Sequence, residues 1–239
     1  MLKALKDLTR PPRHWLASAL NVPNLDTSYR RMYAQHQSVH RGLILEIADI
    51  RNAERLSVDV LEVACGTGWN IANFVDAGFN YYGLDISETA IAKCIDKAPN
   101  EKFLNVSVDD LTRLKDGAFD IIYCASMLEH LKDHERALAE LIRIARKHLF
   151  VTFYEGLNNG DDDKIEFHKD LSPTHRKFGV KWNQYQKLNG GYFMNRYSRR
   201  TASEISSRSG AKRIEFLDAS NRAYIQGVET VLHVCRFLD

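Results

Sequence analysis

Apolar and polar positions change rhythm repeatedly along this chain. Between residues 58 and 155, short apolar runs alternate with segments whose apolar residues recur every three or four positions. The runs VDVLEVA (58–64), YYGLDIS (81–87), KFLNVSV (102–108), FDIIYCA (119–125) and HLFVTFYE (148–155) predict strands. The periodic segments NIANFVDAG (70–78), SETAIAKCIDKA (87–98) and HERALAELIRIARK (134–147) predict helices. Gly78 is a helix stop signal, Ser87 can cap the next helix, and Glu88 suits its first turn. Strands with almost no polar interruption imply a parallel sheet covered on both faces.

On either side of this core the rhythm differs. Residues 1 to about 25 read as a short amphipathic arm broken by Pro11-Pro12, and SYRRMYAQHQSVHRGLILEIADI (28–50) reads as helix. After Gly156 the chain turns polar, aromatic and basic for about 40 residues. A stretch that long is too long for an ordinary connection; such loops are functional or disordered, and a substrate-binding insert or lid is the expectation here. RYSRRTASEISSRSG (196–210) then predicts a helix, and KRIEFLDAS and ETVLHVCRFL predict two strands close enough to pair antiparallel at a sheet edge. The expected fold is α/β: a Rossmann-like, doubly wound, seven-stranded sheet, mostly parallel with an antiparallel edge strand, and helices on both faces. Residues 1–50 form a helical arm or cap in this reading, and 51–239 one domain with an insert at about 156–195.

Composition adds limits rather than direction. With 239 residues the chain can bury a sizeable core. A formal charge of +2 gives no whole-molecule field toward nucleic acid or membrane. Cys65, Cys94, Cys124 and Cys235 form no CxxC pair and read as buried free thiols of a reducing compartment. No apolar stretch approaches the roughly 20 residues of a membrane span, and the charged N-terminus is a poor signal peptide. A cytoplasmic location is the expectation.

The chemistry concentrates in DVLEVACGTGWNIANFVDAGFNYYGLDIS (59–87). In an open parallel sheet, ligands bind outside the carboxyl ends of the strands. Gly66 and Gly68 fall at the end of the first strand, where a missing Cβ lets backbone turn tightly and approach a ligand. Asp85 ends the second strand, placed to accept hydrogen bonds from two ribose hydroxyls. A pyrophosphate-binding turn wants G-x-G-x-x-G, but Ile71 holds the third glycine position. Glu62, four residues before Gly66, is a poor neighbour for pyrophosphate and suits an ammonium or sulfonium ligand.

The run Glu62-Val63-Ala64-Cys65-Gly66-Thr67-Gly68 resembles the E/D-x-G-x-G-x-G loop of class I S-adenosylmethionine-dependent methyltransferases, with Ala64 in place of the first glycine. Asp85 resembles that family's ribose-binding acid, and Asp109 in VSVDDL its acid beside the adenine. DGAFDIIYCASMLEHL (116–131) resembles the fourth-strand block that passes the methyl donor. The likeness spans about residues 55–155. It implies S-adenosyl-L-methionine as cofactor, S-adenosyl-L-homocysteine as product, and a cofactor site from Glu62, Ala64, Gly66, Gly68, Asn70, Asp85, Ile86, Asp109, Asp110 and Ala125.

Methyl transfer from a sulfonium mainly requires alignment and exclusion of water, and a hydroxyl acceptor gains from a base within reach. His130, His168 and Tyr154 are the candidates. Some relatives bind a divalent metal with E-x-x-E-H; here Glu129 and His130 match its end, but Ser126 replaces the first glutamate, so no metal is expected. The acceptor is expected to be a small molecule such as a sugar, a nucleotide-linked sugar or a natural-product-like metabolite, methylated on oxygen or nitrogen. The insert's basic residues and aromatics keep RNA open as a second reading, beside protein. A non-catalytic cofactor-binding subunit is the third. Monomer and homodimer both remain open.

Overall fold

In the computed structural model, the described residues are 27–156, 162–170, 190–217 and 229–236, with side chains of the first helix described from His40 onward and those of the last strand from Val231. Helix α1 (Thr27–Glu54) leads into β1 (Asp59–Val63), α2 (Ile71–Asp76), β2 (Asn80–Asp85), α3 (Glu88–Lys97) and β3 (Lys102–Asn105). Then come β4 (Phe119–Cys124), α4 (His134–Ile144) and β5 (Ala145–Tyr154). A two-stranded ribbon, β6 (Phe167–His168) with β7 (Tyr192–Phe193), precedes α5 (Arg199–Arg208), β8 (Arg213–Leu217) and β9 (Glu229–Cys235).

The seven-stranded sheet runs β3-β2-β1-β4-β5-β9-β8. Strands β1 to β5 are parallel, and β9 is antiparallel to both neighbours, so the antiparallel strand lies one in from the edge. The order reverses between β1 and β4, which puts a switch point at the carboxyl end of β1.

Alternation along the central strands divides the core. Ile121 and Tyr123 of β4 pack with Leu43, Ile44 and Ile47 of α1, Phe74 of α2 and Ile91 of α3. Ile122 and Cys124 face the other way, toward Leu138, Leu141 and Ile142 of α4 and Ala202 and Ile205 of α5. Both faces of β4 are therefore dry, as its unbroken apolar sequence requires. Burying one Leu or Ile side chain contributes roughly 1.5–3 kcal/mol, which offsets the modest propensity of short helices such as α2.

Local signals act where expected. Ser87 accepts from Ala90 N at the start of α3, and Gly78 lies in the left-handed region at φ 79° after α2. The α4–β5 boundary falls earlier than the hydrophobic pattern implies. Ala145 pairs with Phe119 across an irregular register, so residues 145–147 extend β5 rather than α4. Arg146 reaches Asp120, an ion pair that periodicity does not register. Helix α5 starts three residues later than its pattern, because Arg196 and Tyr197 bridge Lys164 and Glu155 in extended conformation. Ser198 caps α5, and Asp163 braces the cap, accepting from Ser198 N and Thr201 Oγ1 at 2.5 Å each.

Candidate functional site

The glycine loop closes the carboxyl end of β1. Ala64, Gly66 and Gly68 all lie in the left-handed region, at φ 61°, 54° and 76°. Ala64 thus keeps the conformation that a glycine adopts at no steric cost, and pays roughly 1 kcal/mol for it. The two glycines do different work. A Cβ on Gly68 would sit 2.4 Å from Ile71 Cδ1 and 3.0 Å from Cys94 Sγ, so this glycine seats the loop on α2 and α3. A Cβ on Gly66 would meet nothing within 4 Å, so there bare backbone faces open space.

Asp85 ties loop to strand. Its Oδ2 accepts from Gly66 N and its Oδ1 from Ser87 N, each at 2.8 Å. Both oxygens keep a second lone pair, so the oriented carboxylate can still receive a pair of hydroxyls. Asn105 donates to the carbonyls of Asp85 and Ile86, at 3.0 and 2.9 Å, and fixes the chain beyond. Asp109 and Asp110 are exposed at the start of a 3-10 turn (Val108–Arg113) that follows β3. Ala125, half-buried, follows β4, the neighbour of β1 in the sheet.

Glu62 lies beneath this loop, 3% exposed. Asn70 Nδ2 donates to its Oε1 at 2.7 Å, and the Tyr81 hydroxyl donates to Oε2. Burial pushes the Glu62 carboxyl up to about 7, against the pull of the two donors. Burial likewise holds the Tyr81 hydroxyl well above its ordinary value, so it stays a donor. Sequence reading missed Tyr81. Its signal was Gly83, the residue paired with Glu62, whose missing side chain leaves room: a Cβ there would touch Tyr81 Cε1 at 3.0 Å.

The three catalytic candidates come together around one structure. His130 lies in a 3-10 turn (Leu128–His130) after β4, Tyr154 ends β5, and His168 stacks on Tyr192 in the ribbon at 4.9 Å between centroids. His130 Nδ1 lies 3.0 Å from the Phe193 carbonyl. Asn195 fastens the same segment, donating from its backbone to Glu129 O and from Nδ2 to Leu131 O, both at 2.8 Å. The Tyr197 hydroxyl donates to Leu128 O at 2.9 Å. No local pattern marks Asn195, because its partners on the 128–131 turn lie more than sixty residues away. Glu129 is fully buried whereas His130 is half-buried. His175, Phe178, Trp182 and Tyr185, and the side chains of Tyr29, Arg30 and Tyr33, lie outside the described residues.

Open space against bare loop backbone, an oriented acid at the next strand end and exposed acids after β3 fit a nucleoside with an attached amino acid. Residues 61–151 match a family model described as a methyltransferase domain. Over those residues the chain is similar to class I S-adenosylmethionine-dependent methyltransferases. Its cofactor is S-adenosyl-L-methionine. An uncharacterized methyltransferase of Schizosaccharomyces pombe is 29% identical over 53% of this chain and 92% of its own length. A ubiquinone biosynthesis O-methyltransferase of Methylococcus capsulatus is 30% identical over 36% of this chain and 38% of its own length. Among solved structures, the magnesium protoporphyrin IX methyltransferase of Synechocystis PCC 6803 with bound S-adenosylhomocysteine superimposes with a TM-score of 0.58 at 15% identity, covering 99% of this chain and 100% of that one. That likeness is one of fold. No helix among the described residues is long and apolar enough to cross a membrane.

Proposed function

We propose that this methyltransferase acts on a small molecule, on an oxygen or nitrogen atom, with a hydroxyl acceptor favoured. The observation that carries this reading is the contact of His130 Nδ1 with the Phe193 carbonyl. A carbonyl can only accept, so His130 Nδ1 must donate to Phe193 O, and in the neutral ring Nε2 then holds the lone pair. A base so oriented serves a hydroxyl, whose proton must leave, more than it serves an amine that already carries a lone pair.

S-adenosylmethionine supplies an electrophilic methyl on a sulfonium. In this reading the protein's own part is positional. The ribbon, stitched to the 128–131 turn by Asn195 and Tyr197, closes one side of the acceptor space and keeps water out. His130 Nε2 takes the hydroxyl proton, and Tyr154 and His168 orient the acceptor. Sugars, nucleotide-linked sugars and natural-product-like metabolites are the acceptor classes to test. A ubiquinone biosynthesis O-methyltransferase and a 2-methyl-6-phytyl-1,4-hydroquinone methyltransferase among the relatives support a small-molecule acceptor.

An RNA acceptor is weakened by how the described basic residues are used. Arg199 pairs with Glu155 at 2.6 Å, and Arg196 lies over the Tyr154 ring and donates to Glu155 O at 3.3 Å. These cations serve the protein's own structure before any phosphate.

The test is labelled-methyl transfer to a panel of small hydroxyl and amine acceptors, RNA and protein, after calorimetry has measured donor binding. His130→Ala should leave donor affinity intact and lower kcat on hydroxyl acceptors roughly 100-fold or more. Turnover of hydroxyl acceptors at the wild-type rate in that variant removes the base role. Transfer to RNA or protein alone overturns the small-molecule reading, and donor binding without transfer to any acceptor favours a binding subunit.

A further inference from the structure

We propose that His148, His233 and Cys235 form a zinc site at the edge of the sheet opposite the methyl-donor loop. All three side chains are buried, each 3% exposed. Their donor atoms converge. His148 Nδ1 and His233 Nε2 are 3.0 Å apart, and Cys235 Sγ lies 3.6 Å from the first and 3.5 Å from the second. A tetrahedral ion with about 2.1 Å to nitrogen and about 2.3 Å to sulfur sets such donors about 3.4 and about 3.6 Å apart. The triangle is already nearly that of a bound ion.

Sheet register explains the convergence. His148 sits opposite Cys235 across β5 and β9, and His233 is two residues from Cys235 on the same face. Phe150, opposite His233, stacks on its ring at 4.3 Å and 9° and fixes the ring plane. His148 lies near the amino end of β5, whereas the glycine loop follows the carboxyl end of parallel β1.

Proton count points the same way. Three contacts run in line: Glu54 Oε2 to His148 Nε2 at 2.9 Å, His148 Nδ1 to His233 Nε2 at 3.0 Å, and His233 Nδ1 to Glu215 Oε2 at 3.4 Å. Each needs a proton, and two neutral imidazoles carry two. If both outer nitrogens donate to their carboxylates, two lone pairs face each other in a buried space beside a thiol. A cation between them resolves the conflict, and the outer contacts become the carboxylate–histidine pairs that orient metal ligands. A third proton would create a buried imidazolium. Arg213 holds the other oxygen of Glu215 at 2.9 Å, which keeps that carboxylate in place.

Two imidazoles and one thiolate form a borderline-soft set that suits zinc over magnesium or calcium. Binding releases the Cys235 thiol proton to solvent, and three protein ligands leave a fourth position for water. Such an ion would clamp β5 to β9 and, through Glu54, hold the end of α1. This proposal stands apart from methyl transfer.

The experiment uses the full chain without a histidine tag, stripped by chelation and reloaded. Zinc should remain at about one equivalent per chain after gel filtration, and should raise Tm where magnesium does not. Cobalt should give a thiolate charge-transfer band and the strong visible absorption of a four-coordinate ion. Cys235→Ser should abolish that band, and His233→Asn should reduce retained zinc at least about tenfold, with calorimetric S-adenosylmethionine binding showing that the variants fold. A Cys65→Ala/Cys94→Ala variant should bind cobalt as the wild type does. Substoichiometric zinc and no cobalt band in the wild-type chain overturn the proposal, as does wild-type cobalt binding by Cys235→Ser.

Discussion

The two edges of the sheet solve opposite problems. At the carboxyl edge, backbone is laid bare: Gly66 faces open space and Asp85 offers a carboxylate already oriented by two amides. At the amino end of β5, buried side chains crowd inward until donor atoms stand 3.0–3.6 Å apart. The first edge is written in one continuous stretch, Glu62 to Asp85. The second is assembled from residues 54, 148, 215, 233 and 235, which only the strand order brings together. Ligand sites built from turns leave local sequence signatures, whereas sites built from cross-strand neighbours do not.

The sharpest break of that comparison is at the two glycines. Gly68→Val should lose donor binding and fold stability together, because its side chain collides with Ile71 and Cys94. A Tm fall of about 8 °C or more in thermal unfolding is expected, corresponding to roughly 3 kcal/mol. Gly66→Val should abolish donor binding in calorimetry at a stability cost of only about 1–2 kcal/mol, since strain at φ 54° is its main penalty. Equal losses in both variants would erase the distinction between seating the loop and baring it.

Asp85→Ala should lower donor affinity at least about 100-fold, since it removes both the proposed ribose acceptor and the anchor of Gly66 N. Stripping metal from the opposite edge should leave donor affinity within about twofold. A metal-dependent donor affinity would mean that the edges communicate through the sheet.

Glu62 gives a pH signature. Its folded pKa of about 7 lies above the ordinary 4.5, so the folded chain binds the proton more tightly than the unfolded one. Its contribution to stability is therefore full below about pH 4.5, and is lost as pH rises toward about 7, by roughly 3 kcal/mol in all. Glu62→Gln should flatten that slope in denaturant titrations across the same window, and an unaltered slope would assign it to other groups. The smallest effect belongs to Ala64→Gly, which relieves φ 61° and should stabilise by about 0.5–1 kcal/mol, read as a small rise in Tm.

The doubly wound sheet and the loop at its carboxyl edge were legible because their signals are local. Unbroken apolar runs such as FDIIYCA require cover on both faces, and glycines at positive φ mark their own turns. Boundaries were less legible. Residues 145–147 joined β5 because Arg146 found Asp120 across the strands, and the Ser198 cap is braced by Asp163 from thirty-five residues away. Periodicity cannot weigh such partners.

By itself the sequence determined the layered fold, the glycine loop and the acid after β2, since each rests on backbone preference and spacing within a few residues. Only the tertiary structure decided that Tyr81 and Asn70 hold Glu62, that Phe193 selects the His130 tautomer, and that two histidines and a cysteine meet behind β5. The last two outcomes depend on strand register and on contacts across sixty to ninety residues, where the geometry of the whole sheet determines which side chains become neighbours.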